Sequence, residues 1–128
     1  MTSTTDNKAE LKKAVALAAA DQVPDNAVVG LGSGTTLEFF IRELGARCRA
    51  GRLRIVGVPT SLQARLLAAE VGIPVRDPMD VHQIDIDVDG ADEVDPAGNV
   101  IKGGGAAHVM EKIVAAMAAR FIVIVDQS

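Results

Sequence analysis

Tryptophan and tyrosine are absent from this sequence, and phenylalanine occurs only three times. The 48% of hydrophobic residues is therefore supplied largely by alanine and valine. A core of small and branched side chains is what buried parallel strands covered by helices tend to have. Cysteine occurs once, as Cys48, which excludes an internal disulfide framework and fits a reducing cytoplasm. Nothing around Cys48 marks a reactive thiol, so it reads as an ordinary helix cysteine. No apolar run approaches the length of a membrane span, and residues 1–8 are polar, without the apolar region of a secretory signal. Positive charge is also scarce. Thirteen Lys and Arg against seventeen Asp and Glu give a net charge of −4, and without a basic cluster this argues against a nucleic-acid binder. An anionic small molecule stays compatible, because a backbone cradle does not depend on net charge. At 128 residues the chain is expected to be one domain with a real core.

What is present is an alternation of apolar runs and helical patterns. Met1 to Asn7 reads as a loose tail, and a helix is expected from Lys8 with Leu11, Val15 and Ala18 on one face and Lys12 and Lys13 beside it. After the turn at Pro24-Asp25-Asn26, Ala27 to Leu31 reads as a buried first strand. A helix carrying Leu37, Phe40, Ile41 and Leu44 follows, then a second strand over Arg54 to Val58. Ser61 is placed to cap a helix with Leu62, Leu66, Leu67 and Ala69. A short third strand is expected at Ile73 to Val75, a fourth at Ile84 to Val88, and a small hairpin around Pro96-Ala97-Gly98-Asn99. A helix from about Ala106 to Arg120 and a fifth strand, Phe121 to Val125, complete the pattern. Strands alternating with helices predict a Rossmann-like α/β fold: a doubly wound, mostly parallel sheet with helices on both faces.

The glycine-rich turn Gly30-Leu31-Gly32-Ser33-Gly34-Thr35-Thr36 joins the first strand to the next helix. It lacks the lysine of a Walker A loop. It also lacks the third glycine of the dinucleotide fingerprint at the required place, and no acid follows about twenty residues on to read a ribose. What remains is a generic anion cradle of helix-start N–H groups with hydroxyls from Ser33, Thr35 and Thr36, against the plainer reading of a tight, capped turn.

The densest chemistry lies between Asp89 and Lys112. Asp89-Gly-Ala-Asp92-Glu is followed by Lys102-Gly103-Gly104-Gly105-Ala-Ala and by Glu111. Asp85, Asp87 and Asp89 imitate the start of an EF-hand loop, but Pro96 stands where its bidentate glutamate belongs, so calcium is rejected. Asp85 and Asp87 should then oppose Ile84, Ile86 and Val88 across the fourth strand, which requires either partial exposure or partners. His82 and His108 fall in no ligand spacing, and His108 with Glu111 makes at most a two-ligand fragment, so no metal is expected. Each acid alone could be a turn or cap residue. Three adjacent glycines at a helix start stabilise nothing, and close approach of a ligand to the main chain explains them better. Acids and a lysine beside bare backbone suit a small polar substrate whose protons are moved.

In these segments the chain resembles ribose-5-phosphate isomerase of the A type. Gly-Leu-Gly-Ser-Gly-Thr-Thr (30–36), Asp-Gly-Ala-Asp-Glu (89–93) and Lys-Gly-Gly-Gly-Ala-Ala (102–107) are similar to that family's three substrate segments, in the same order. The resemblance implies metal-free and cofactor-free interconversion of D-ribose 5-phosphate and D-ribulose 5-phosphate through an enediolate. On it, Glu111 is the base, Lys102 and the glycine N–H groups stabilise negative charge, and Asp89 and Asp92 bind hydroxyls or assist ring opening. Ser33, Gly34, Thr35 and Thr36, with Lys12, would hold the phosphate; Gly90, Ala91, Gly103, Gly104 and Gly105 would contact substrate. The residues before the base, His108-Val109-Met110, depart from the Thr-Arg pair frequent in relatives. The resemblance covers an amino-terminal half, so the family's second α+β lobe is expected to be absent. It further implies a cytoplasmic homodimer or higher homo-oligomer acting on a phosphorylated pentose, with no nucleic-acid or membrane partner. Two rivals stand beside it. A sugar-phosphate sensor domain needs the cradle but no base, and a coenzyme A transferase uses a glutamate as nucleophile.

Overall fold

A computed structural model describes residues 4–91, 93–94, 100–101 and 107–125. Helix α1 (Thr4–Ala20) is followed by strand β1 (Ala27–Leu31), α2 (Thr35–Arg49), β2 (Ile55–Pro59), α3 (Leu62–Glu70), β3 (Ile84–Ala91), the short strands β4 (Glu93–Val94) and β5 (Val100–Ile101), α4 (Ala107–Met117) and β6 (Ala118–Val125). The main sheet is parallel throughout, in the order β2-β1-β3-β6. Val75 adds one parallel bridge to Gly57 outside β2, so the expected third strand is reduced to a single bridge. β4 and β5 pair antiparallel, Glu93 with Ile101 and Val94 with Val100. The expected hairpin is thus present, while its turn at 95–99 lies outside the described residues.

Chain direction decides where the helices go. β1 to β2 runs one way along the sheet, and β3 to β6 runs the other way. Right-handed crossovers moving in opposite directions must cover opposite faces. The side chains agree. Ala16, Ala20, Phe40, Leu44, Ala64 and Leu67 from α1, α2 and α3 join Val29, Leu31, Ile86 and Val88 in the larger core cluster. Val114 from α4 joins Val58 and Ile84, with Val28 and Met117 against them. The fold is the doubly wound α/β arrangement with helices on both faces.

Several helix details differ from the sequence expectation. α1 is already helical at Thr4, where a loose tail was expected. It buries Ala16, Ala19 and Ala20, while Leu11 and Val15 are exposed, because a helix laid closely along α2 fits methyl groups better than longer side chains. α3 likewise buries Ala64, Leu67 and Ala68 and exposes Leu62 and Leu66. Its start is as expected: the Ser61 hydroxyl accepts the N–H of Ala64 at 3.1 Å. α4 ends at Met117, and Ala118 to Arg120 belong to β6. Residues of high helix propensity are drawn into the sheet there by pairing, Ile84 with Ala118 and Ile86 with Arg120. Cys48 is half-buried on α2, and burial pushes its thiol up, away from the reactive thiolate.

β3 is internal, flanked by β1 and β6, and the question raised by its acids is answered by its neighbour. Asp85 accepts the N–H of Val28 at 2.7 Å and a side-chain N–H of Gln83 at 3.2 Å. Asp87 and Asp89 are buried, at 0% and 3% exposure, beside Gly30 and Gly32 of the glycine turn. A Cβ on Gly30 would strike the Asp87 carboxylate and lie 2.6 Å from Val114 Cγ1. A Cβ on Gly32 would strike the Asp89 carboxylate and lie 2.7 Å from the Asp89 Cα. The second clash is with backbone and cannot be relieved by a rotamer change. Gly32→Ala is therefore expected to destabilise the fold by about 1–3 kcal/mol, read as a lowered urea midpoint at unchanged slope. An unchanged midpoint would show that β1 and β3 are not packed in this way.

Candidate functional site

The order β2-β1-β3-β6 reverses direction between β1 and β3. In open α/β sheets the crevice at the carboxyl ends of such a strand pair is where ligands bind. Both motif-bearing turns meet there. The N–H of Gly32 donates to Val88 O at 2.9 Å, carrying the β1–β3 ladder one residue beyond the strand. Gly90 lies beneath the glycine turn, where a Cβ would approach Ser33 O and Leu37 Cδ2 at 3.1 Å each.

The glycine turn has the features of an anion cradle. Gly34 is the N-cap of α2 with φ 118° and ψ 168°, a conformation that suits glycine, and it brings no side-chain cap. The partial positive charge of the helix start is therefore not met by a side chain of the N-cap residue itself. Lys12 reaches over from α1 and its Nζ donates to the Thr35 hydroxyl at 2.8 Å. A lysine 23 positions earlier in the sequence than Thr35 is thus fixed at the same helix start. Thr36 is buried, and the first-turn acid Glu38 is engaged by Gln63 Nε2 at 2.7 Å.

A contact that the sequence did not disclose ties the turn to β2. Thr60 donates through both its N–H and its hydroxyl to Leu31 O, at 3.0 and 3.1 Å, which clamps the ends of β1 and β2 together. This brings Ser61 Oγ to 2.5 Å from Ser33 Oγ. The sequence marks Ser61 only as a helix cap; its second partner depends on β1 and β2 being neighbours in register.

On the opposite side of the turn stand the acids. Asp89 is buried at the end of β3, with its carboxylate accepting the N–H of Gly90 at 2.8 Å. Glu111 is half-buried on α4, three residues before Val114, so the two share a helix face. Val114 sits over Gly30. Because α4 returns antiparallel to the parallel strands β3 and β6, Glu111 lies one turn closer than Val114 to their carboxyl ends.

Of the residues singled out in the sequence, the structure therefore gathers Lys12, Ser33, Gly34, Thr35, Thr36, Asp89 and Gly90 at one edge of the sheet, with Ala91 ending β3 and Glu111 on the covering helix. Asp92, Lys102, Gly103, Gly104 and Gly105 lie outside the described residues, as does the side chain of His108. His82 is exposed. Among the described residues no group of three or more His, Cys, Asp or Glu is arranged to hold a metal ion, and no helix is long and apolar enough to cross a membrane.

This arrangement has close counterparts. Residues 56–128 match the family described as Ribose 5-phosphate isomerase A (phosphoriboisomerase A). Ribose-5-phosphate isomerase A of Synechococcus sp. (strain RCC307) is 56% identical over 124 residues, 96% of this chain and 52% of the relative. That of Methanothermobacter thermautotrophicus is 58% identical over 118 residues, 92% of this chain and 52% of the relative. A solved D-ribose-5-phosphate isomerase in complex with phospho-erythronic acid superposes with a TM-score of 0.86 at 51% identity, over 91% of this chain and 51% of that one. The chain spans about half the length of the curated relatives it matches. With the family profile covering β2 to the last residue, and both motif-bearing turns meeting at the switch point, the chain belongs to the ribose 5-phosphate isomerase A family.

Proposed function

We propose that the protein interconverts D-ribose 5-phosphate and D-ribulose 5-phosphate, with this chain as its Rossmann-like catalytic domain and Glu111 as general base. The observation that carries this reading is the pairing, across one strand boundary, of an anion cradle with a buried acid. Lys12, Thr35 and the start of α2, whose N-cap is Gly34, form the cradle, and Asp89 stands beside it. A phosphorylated polyhydroxy molecule has the matching polarity, with a dianion at one end and hydroxyls at the other. The relative solved with phospho-erythronic acid holds a ligand of that class.

Phosphate is held by Ser33, Gly34, Thr35 and Thr36 with Lys12, through helix-start N–H groups, hydroxyls and one ammonium. Asp89 and Asp92 bind sugar hydroxyls, and one of them carries the proton of the anomeric hydroxyl to the ring oxygen as the sugar opens to its aldehyde; Gly90, Ala91 and Gly103 to Gly105 allow the substrate to approach the main chain. Glu111 then removes the proton from C2. The electron pair forms the C1–C2 double bond, and negative charge collects on O1, where Lys102 and the glycine N–H groups stabilise it. Transfer of the O2 proton to O1 and return of the proton from Glu111 to C1 complete the ketone. Every step is a proton transfer and draws on no cofactor or metal. The single cysteine and acidic charge support a cytoplasmic setting without nucleic-acid partners, and membership of the family supports a homo-oligomer.

Two substitutions test this assignment. Glu111→Gln should lower kcat for ribose 5-phosphate by about 10²-fold or more while leaving its binding largely intact, measured by turnover in the presence of chelator and by calorimetry. Strong residual turnover would remove Glu111 from the base role, and wild-type binding without turnover would favour the sensor reading. Thr35→Ala should raise KM for the phosphorylated sugar about tenfold. Equal weakening for unphosphorylated ribose would sink the cradle assignment.

A further inference from the structure

Ser61 has more hydrogen-bonding capacity than a cap requires. A hydroxyl offers one proton and two lone pairs. One lone pair of Ser61 accepts the N–H of Ala64 at 3.1 Å, and the same oxygen lies 2.5 Å from Ser33 Oγ. The two hydroxyls hold two protons, and the bond between them uses one. The direction of that bond decides which residue keeps a proton to give away.

If Ser33 donated to Ser61, Ser61 would accept twice and Ser33 would have nothing to offer an anion. If Ser61 donates to Ser33, the Ser33 proton is released, and with Ser61 occupying one side of Ser33 it is directed away from α3. An anion in the glycine turn stabilises this second arrangement. The result is a chain of donors running from the Ala64 N–H through the Ser61 hydroxyl and the Ser33 hydroxyl to the ligand. Donors linked in series polarise one another. The chain also begins at a first-turn N–H of α3, so the partial positive charge of a second helix start reaches the anion that α2 faces directly.

Resting on the phosphate cradle argued above, we propose that Ser61 is a positioning residue that orients the Ser33 hydroxyl toward the substrate phosphate and relays to it the N-terminus of α3. Thr60 serves the same end, since its two bonds to Leu31 O hold the ends of β1 and β2 at the separation the serine pair needs. Phosphate recognition thus extends beyond the glycine turn onto a second strand end and a second helix.

The test is a double-mutant cycle on the protein with ribose 5-phosphate as substrate and inorganic phosphate as competing probe. Ser61→Ala should raise KM, and the inhibition constant of phosphate, about tenfold, with kcat held within about twofold. Ser61→Thr, which keeps the hydroxyl, should restore both. In a Ser33→Ala background the further change Ser61→Ala should have almost no effect on KM, because the relay has lost its terminus. Where Ser61→Ala compromises folding, Ser61→Gly removes the hydroxyl at a position where helix caps tolerate glycine well. Equal KM effects of Ser61→Ala with and without Ser33 would overturn the relay and leave Ser61 a cap alone, as would a lowered melting temperature without any change in KM. Failure of the unsubstituted protein to turn over or bind ribose 5-phosphate would overturn the functional reading and this inference together.

Discussion

Strand β3 carries Asp85, Asp87 and Asp89 on one face while lying between two other strands, and the sheet accommodates them because β1 and its turn place Gly30 and Gly32 beside Asp87 and Asp89. Burying an ionised carboxylate is costly unless hydrogen bonds or charges compensate. Nearby backbone donors supply part of that compensation, Val28 N–H for Asp85 and Gly90 N–H for Asp89. Space is supplied by the missing side chains of Gly30 and Gly32, and α4 closes over it with Val114 against Gly30. The height at which α4 lies against the sheet follows from this contact. A larger residue at either glycine would disturb the strand pair and the helix above it together.

The topology converts that packing into a site. Reversal of the winding between β1 and β3 sends the crossover helices to opposite faces and makes the carboxyl ends of this pair the place where open α/β sheets form a crevice. The glycine turn comes from one of those ends, and Asp89-Gly90-Ala91 from the other. Stability and recognition share residues here. Gly32 is needed for close strand approach and stands in the turn that leads to Gly34, whose backbone opens the start of α2.

Much of this was legible in the sequence, for reasons that also explain the failures. The runs Ala27–Leu31 and Ile84–Val88 are apolar enough to announce buried strands, and the turn at 30–36 and Asp89 announce themselves by residue type. Leu11 and Val15 misled because hydrophobicity alone favours them over alanine, whereas the buried side of α1 is set by how closely it lies on α2. Ala118 to Arg120 misled because local propensity favours helix and only pairing with β3 overrides it. The Asp85–Asp87–Asp89 row is plain in the sequence, but its accommodation depends on glycines more than fifty residues earlier. Ser61 was seen as a cap. Its partnership with Ser33 exists only once β1 and β2 are side by side, a fact of topology with no sequence motif.

Charge then gives the crevice a direction. The cradle side, built from Lys12, Thr35, Ser33 and the start of α2, lies toward β2, and the acids lie on β3 at the other side of β1. Adjacent strands are about 4.8 Å apart, so β2 and β3 are separated by roughly 10 Å, a span suited to a short phosphorylated chain. A dianion placed at the acid side would be repelled by Asp89 and Glu111 in a poorly screened setting, while at the cradle it meets a cation and helix-start N–H groups. Like-charge opposition of this kind costs several kcal/mol and suppresses the wrong orientation more effectively than it strengthens the right one. On the proposed function, the acids assigned to proton transfer would thereby also direct the phosphate to the far end and leave the carbonyl carbons on the side of Asp89 and Glu111.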